Sequence, residues 1–355
     1  MIYLDYQATT PLAPEAREAM LRWLGDDGFA NPHSAHAMGR AAKAAVEVAR
    51  EQVAALLPPG GRVIFTGSAT EALNLAIQGS NAQQIAVSAI EHAAVLDTAR
   101  AVAKVHELSV GADGLVDPEV PIPDGTGLVA VMQVNNEIGT IQPVEELAKR
   151  AHAAGALFLC DAVQGAGKLA PPHRADLIAL SAHKLYGPKG IGALWVRDGV
   201  ELKPLIHGGG QEAGLRSGTL SPALCAGFGA AAQVALARRD EDTAQVEQFW
   251  QDARDALARW NLNGSETERW KGNLNLRLDG FDVGRLMSEC RTIAFSAGSA
   301  CASGSGRPSH VLRALGLSDA QAKSSIRLGF GRYTPRDDLI EACRTIDAAA
   351  RAQGV

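Results

Sequence analysis

Short, almost uninterrupted apolar runs recur through the first two thirds of the chain. "RVIFTG" (62–67), "QIAVSAI" (84–90), "GLVAVMQV" (127–134), "ALFLCDA" (156–162) and "ADLIALSA" (175–182) hold few polar side chains. That pattern predicts strands buried on both faces. Between them lie stretches such as "SATEALNLAIQG" and "VEELAKRAHAAG". Their apolar positions return every three or four residues, which predicts helices, the second ending on Gly155 as its C-cap. Strand–helix alternation of this kind indicates an α/β fold with a mainly parallel sheet covered on both faces. "GIGALWVR" (190–197) follows the last run after a short glycine turn, and is expected to run antiparallel at one side of that sheet.

The rhythm breaks after the glycine-rich "HGGGQEAGLRSGTLS" (207–221), where a long helical stretch begins at Pro222. The domain change is expected within it, near residue 240. The predicted division is a large domain over 12–240 and a smaller α+β domain made of 1–11 and 241–355. Strands of the small domain are expected in "NLNLRLDG" and "SSIRLGFGRYT".

Composition narrows the function classes. A chain of 355 residues that is 46% hydrophobic and 21% charged is ordinary for a globular protein. Its net charge of −5 argues against a chain-wide footprint for nucleic acid. No apolar run approaches the roughly 18 residues of a membrane span, and "MIYLDYQATTPLAPE" shows no secretion signal. The five cysteines, at 160, 225, 290, 301 and 343, are scattered and form no C-x-x-C pair. This suits a reducing cytoplasm and argues against a cysteine-rich metal site.

Candidate chemistry gathers where the predicted strands stop, the place where open α/β sheets bind ligands. The first run leads into "TGSATEA", a glycine and small hydroxyl residues at a helix start, which suits a phosphate. The same residues also read as a plain capping box, Ser68-x-x-Glu71. The next ends expose His92, then two asparagines in "NNEIG", then Asp161 and Gln164 in "DAVQ". The last end, "LSAHKLYGPKGIG", places Ser181, His183 and Lys184 just beyond an apolar strand. Any one of these could be structural, and a lysine is usually a solvated charge. An amine, a carboxylate and a phosphate-binding helix start in one crevice, however, meet the needs of pyridoxal phosphate. Its aldehyde takes an amine, and its ring nitrogen needs an anion to keep its proton.

With these residues in place, the chain resembles the class V, fold-type I pyridoxal-phosphate enzymes, specifically cysteine desulfurases of the NifS/IscS type. The resemblance covers essentially the whole chain. It rests on "YLDYQATTP", "FANPHSAH", "TGSATEALNLAI", "IEHAAV", "VNNEIGTIQP", "CDAVQ", "SAHKLYGPKG", "GLRSGTLS", "SAGSACASG" and "SSIRLGFGRYT". It implies a large domain with a mainly parallel seven-stranded sheet plus the smaller α+β domain. It also implies conversion of L-cysteine to L-alanine, with the sulfur held on an enzyme cysteine as a persulfide and passed to an acceptor protein.

Site roles follow from the same resemblance. Lys184 would link to the cofactor and then move the substrate Cα proton, and His92 would stack on the ring as an acid/base. Asp161 would pair with the ring nitrogen and Gln164 with the ring hydroxyl. Ala69, Thr70, Ser181 and His183 would hold the phosphate, joined by Thr219 from the second subunit of a homodimer. Asn136 would contact cofactor or substrate, while Asn31 and Arg327 would grip the substrate carboxylate. Two motifs depart from the family pattern: "GSAT" replaces Ser-Gly-Ala-Thr, and His33 stands where a serine is usual. Housekeeping relatives carry a longer tail that helps to dock an iron–sulfur scaffold. The acceptor therefore stays open between such a scaffold, a tRNA-thiolation protein and a DNA-modifying partner.

Cys301 completes the reading. It sits in "SAGSACASGSGR" (296–307), among serines, alanines and glycines with no apolar side chain to anchor it. A thiol that must take sulfur inside a crevice and deliver it to another protein has to visit two places. A glycine- and serine-rich tether lowers the cost of that movement.

Overall fold

The computed structural model describes residues 1–25, 28–298 and 308–354. The chain begins with β1 (Ile2–Tyr3), α1 (Pro14–Leu21) and α2 (Ala37–Ala54). Strands and helices then alternate through β2 (Gly61–Thr66), α3 (Ala69–Gly79), β3 (Gln84–Ser88), α4 (Ala93–Val102), β4 (Lys104–Leu108) and β5 (Leu128–Ala130). They continue through α5 (Val144–Ala153), β6 (Leu157–Asp161), β7 (Leu177–Ser181) and β8 (Gly192–Arg197). After the long α6 (Pro222–Ala256) come β9 (Asn261–Leu262), β10 (Asn273–Arg277) and α7 (Val283–Glu289). The last elements are β11 (Ile293–Ala294), β12 (Ser296–Ala297), α8 (His310–Ala314), α9 (Asp319–Lys323), β13 (Ser325–Gly329) and α10 (Arg336–Arg351).

The main sheet has seven strands in the order β2-β8-β7-β6-β5-β3-β4. All neighbours pair in parallel except β8, which is antiparallel to both β7 and β2. Six strands therefore point one way. The antiparallel sense of 190–197 agrees with the sequence expectation, but its place does not. β8 lies inside the sheet, because β2 adds outside it and forms the edge. An interior position explains why Gly192 to Val196 are all buried.

Alternation along each strand splits the large core into two layers. Val63, Phe65, Phe158, Ile178 and Leu180 face one way, with Val46 of α2 and Phe228 of α6. Ile64, Val87, Leu159 and Leu177 face the other, with Leu73 and Ile77 of α3 and Val95 of α4. A separate core joins β10, β13 and α10 through Leu274, Leu276, Ile326, Leu328, Leu339 and Ile346. Leu4 from the amino-terminal segment also enters it. The 35-residue α6 contributes to both cores, Phe228 and Ala231 to the first, Phe249 and Ala253 to the second. At 1.5 Å per residue it is about 50 Å long, enough to run from one to the other. Among the described residues, no helix is long and apolar enough to cross a membrane.

Candidate active site

Because six strands of the large sheet are parallel, their carboxyl ends open on one side, and the residues that follow them converge. A cavity of about 290 Å³ is lined there by Ser68, Ala69 and Thr70 after β2, and by His92 after β3. Met132, Val134 and Asn136 follow β5, Asp161, Val163 and Gln164 end β6, and Ser181, His183 and Lys184 end β7. Arg327 enters from β13, and Gln7 and Ala8 from the amino-terminal segment. Most residues singled out in the sequence thus meet in one place. Asn31 and Thr219 do not line this cavity, and both are exposed. The Asn31 side-chain oxygen instead accepts from the His33 N–H at 2.9 Å. Cys301 lies outside the described residues.

At the start of α3 only half of the expected capping box forms. The Ser68 hydroxyl accepts from the Glu71 N–H at 3.2 Å. The Glu71 carboxylate, however, turns to the Gly67 N–H at 2.7 Å and to Arg216 Nε at 2.7 Å. Its charge is neutralised away from the cavity, so the positive end of α3 is not spent on it. β8 passes directly beneath this turn. A Cβ on Gly192 would come within 2.5 Å of the Ser68 carbonyl carbon and 2.6 Å of the Ala69 nitrogen. Gly192→Ala is therefore expected to push the helix start out of place. It should weaken cofactor binding about tenfold, equivalent to about 1.4 kcal/mol, in an absorbance titration. Unchanged affinity would show that the turn does not hold the cofactor.

Lys184 follows β7 in a single tight turn, Ala182–Lys184. Its Nζ donates to the carbonyl of Gln7 and, at 2.9 Å, to that of Ala8. The Gln164 side chain donates to the same Gln7 carbonyl at 3.0 Å. Thr10 Oγ1 donates to the His183 carbonyl at 2.9 Å, and Thr9 Oγ1 lies 3.1 Å from His183 Nδ1. The "YLDYQATTP" segment is thus a strap that ties down the lysine turn. Sequence reasoning singled out that motif but assigned no role to Asp5, Gln7 or Ala8. Their contribution comes largely through tertiary placement and main-chain carbonyls, which leave no side-chain pattern in the sequence.

The electrostatics follow from burial. Loss of water pushes the Asp161 carboxyl above the usual range, while the Val163 N–H, His92 and Lys184 pull it back. His92 caps α4 by accepting from the Ala94 N–H at 3.1 Å through Nδ1. Burial lowers its pKa, and Lys184 and His310 act in the same direction against Asp161. Burial, with Lys184 and Lys189 nearby, brings His183 down to about 4. Both imidazoles are therefore neutral near pH 7.

Glu91, just before His92, is fully buried, and desolvation pushes it up to about 8 despite bonds from Ser88 and the Met132 N–H. The folded chain thus keeps a proton that the unfolded chain releases between the ordinary carboxylate value and pH 8. Stability from this group falls as pH rises through that window. Glu91→Gln should flatten the fall, leaving a remainder from Asp161, in urea denaturation from pH 5 to 8. An unchanged slope would contradict this protonation state.

The residues fit pyridoxal phosphate. A lysine amine, a buried carboxylate, a helix start facing the cavity, and a wall of His92, Met132 and Val134 supply its four requirements. Comparisons with known proteins agree. The Aminotransferase class-V family matches residues 2–341. "Cysteine desulfurase IscS" of Rickettsia bellii is 42% identical over 369 aligned positions, covering 97% of this chain and 90% of that one. Among solved structures, a NifS-like protein from Rickettsia africae superposes with a TM-score of 0.89 at 29% identity, covering 98% of this chain and 99% of that one. A structure described as SspA in complex with cysteine gives 0.83 at 37% identity, covering 94% and 100%. A matched family profile, a cavity equipped for its cofactor and a relative of this similarity together place the chain in the class-V aminotransferase family, within its pyridoxal-phosphate-dependent cysteine desulfurases.

Proposed function

We propose that the chain takes sulfur from L-cysteine, leaves L-alanine, and carries the sulfur on Cys301 to an acceptor protein. The observation that carries this reading is the convergence of Lys184, Asp161 and the α3 start on one cavity. When bound, pyridoxal phosphate supplies an aldehyde for amines and a sink for electrons released at the substrate Cα. Asp161 would hold the proton on the ring nitrogen, and Gln164 would bond the ring hydroxyl. Ala69, Thr70, Ser181 and His183 would hold the phosphate, and His92, as a neutral imidazole at the cavity wall, would shuttle a proton. Lys184 Nζ takes the proton from the substrate Cα. Asn136 and Arg327 orient the substrate, the guanidinium by pairing with its carboxylate.

Cys301, as thiolate, then attacks the substrate sulfur. A sulfur–sulfur bond forms, the substrate sulfur–carbon bond breaks, and the carbon collects a proton as alanine. No outside oxidant is needed, since the cysteine carbon is reduced as the two sulfurs join. The small domain, 1–11 and 241–355, brings Cys301 to the large one, 12–240. The working unit is a cytoplasmic homodimer in which Thr219 of the partner subunit completes the phosphate site, and Asn31 belongs with the substrate carboxylate contacts. The acceptor is a second protein, such as an iron–sulfur scaffold. With cofactor, L-cysteine and a thiol reductant, the protein should release alanine and sulfide in equal amounts. Pyruvate or a transaminated product in place of alanine would contradict it.

A further inference from the structure

Arg327, which lines the cavity, is already paired with an acidic side chain just outside it. Arg327 is only 1% exposed, yet one of its partners is an acidic side chain rather than solvent. Its Nη2 donates to Asp5 Oδ1 at 2.7 Å and to Ser296 Oγ at 3.3 Å. Its Nη1 donates to the Asn136 carbonyl at 3.0 Å. Ser296 in turn donates to the same Asp5 oxygen at 2.9 Å. Arg327 Nε is buried without an acceptor among the described residues.

A guanidinium has two forks that can clamp a carboxylate, Nε with Nη2 and Nη1 with Nη2. Both need Nη2, and here both of its hydrogens are taken. A second carboxylate beside Asp5 would also put two anions on one buried cation, in a setting where charge is poorly screened. We infer that Asp5 is the resident anion of Arg327, and that an amino-acid substrate binds by displacing Asp5 from the guanidinium. The inference rests on the reading that Arg327 receives the substrate carboxylate. In the empty site Asp5 neutralises a cation that would otherwise be costly to bury. On binding, the incoming carboxylate takes over Nη2 and gains the unused Nε–H. Asp5, whose side chain is one fifth exposed, turns to water. The apparent affinity for substrate is therefore its intrinsic affinity reduced by the fraction of molecules in which Asp5 has let go.

The test compares ligands with and without the anion on the reconstituted holoenzyme. L-alanine, the reaction product, and L-alanine methyl ester are titrated while the shift of the visible band is followed. Asp5→Asn removes the competing charge and keeps an acceptor for Ser296. It should tighten L-alanine binding on the order of tenfold and leave the ester unchanged. Ser296→Ala, which keeps every charge but frees one Nη2 hydrogen, should move L-alanine the same way by a smaller factor, and it serves where Asp5→Asn does not fold. Weaker L-alanine binding in either variant, or equal tightening of alanine and ester, would overturn the displacement. A wild-type holoenzyme that responds to neither ligand would instead sink the desulfurase reading itself.

Discussion

Cys301→Ala will abolish sulfide release from L-cysteine, by at least about a thousandfold, and leave the cofactor's visible band intact. The reason is atomic: without that sulfur there is nothing for the substrate sulfur to bond to when it leaves carbon. No other thiol can stand in. Cys160, Cys225, Cys290 and Cys343 are all buried. Burial pushes Cys225 and Cys343 up to about 12 and raises Cys160 and Cys290 as well. The thiolate is the nucleophile, so these four are inert at neutral pH. The variant should still bind cofactor, because none of the described cavity residues is altered. Sulfide production near the wild-type rate would remove Cys301 from the reaction.

Lys184→Ala should be nearly as damaging, and at a different point. Borohydride should fix the cofactor to the wild-type chain and fail to do so in the variant. Turnover should drop about a hundredfold to ten-thousandfold, the usual contribution of a positioned proton carrier. The change also removes a cation that helps to keep Asp161 ionised. Without it burial should push the carboxyl up further, away from the ionised form that the proposed contact with the ring nitrogen needs. The strap feels the loss too, since Lys184 Nζ no longer ties the Gln7 and Ala8 carbonyls. Cofactor that remains covalently attached to another lysine would contradict the assignment.

What was legible in the sequence has a physical cause. β6 and β7 are covered on both faces, so their sequences are continuous apolar runs, and the polar residues at their ends stand out. That is why the sequence alone sets Asp161, Ser181, His183 and Lys184 at strand ends. β4 went unrecognised because it is the sheet edge. "KVHEL" exposes Lys104, His106 and Glu107, the polar dressing that keeps an edge from pairing with other chains. The interior position of β8 is hidden from the sequence for a related reason. A run read in sequence says which direction a strand can take after a tight turn, not that β2 will add outside it. The Asp5–Arg327 pair joins residues 322 positions apart, a relation no local pattern carries. Glu91 sits unmarked within "IEHAAV", because its perturbed carboxyl follows only from complete burial.

The most direct measurement is the mass of the reconstituted protein after a short exposure to L-cysteine, with peptide mapping under conditions that preserve persulfides. The desulfurase account expects one extra sulfur atom, carried by Cys301 and lost on reduction, together with one alanine per site. Alanine without added sulfur, or sulfur found only on one of the four buried cysteines, would contradict it.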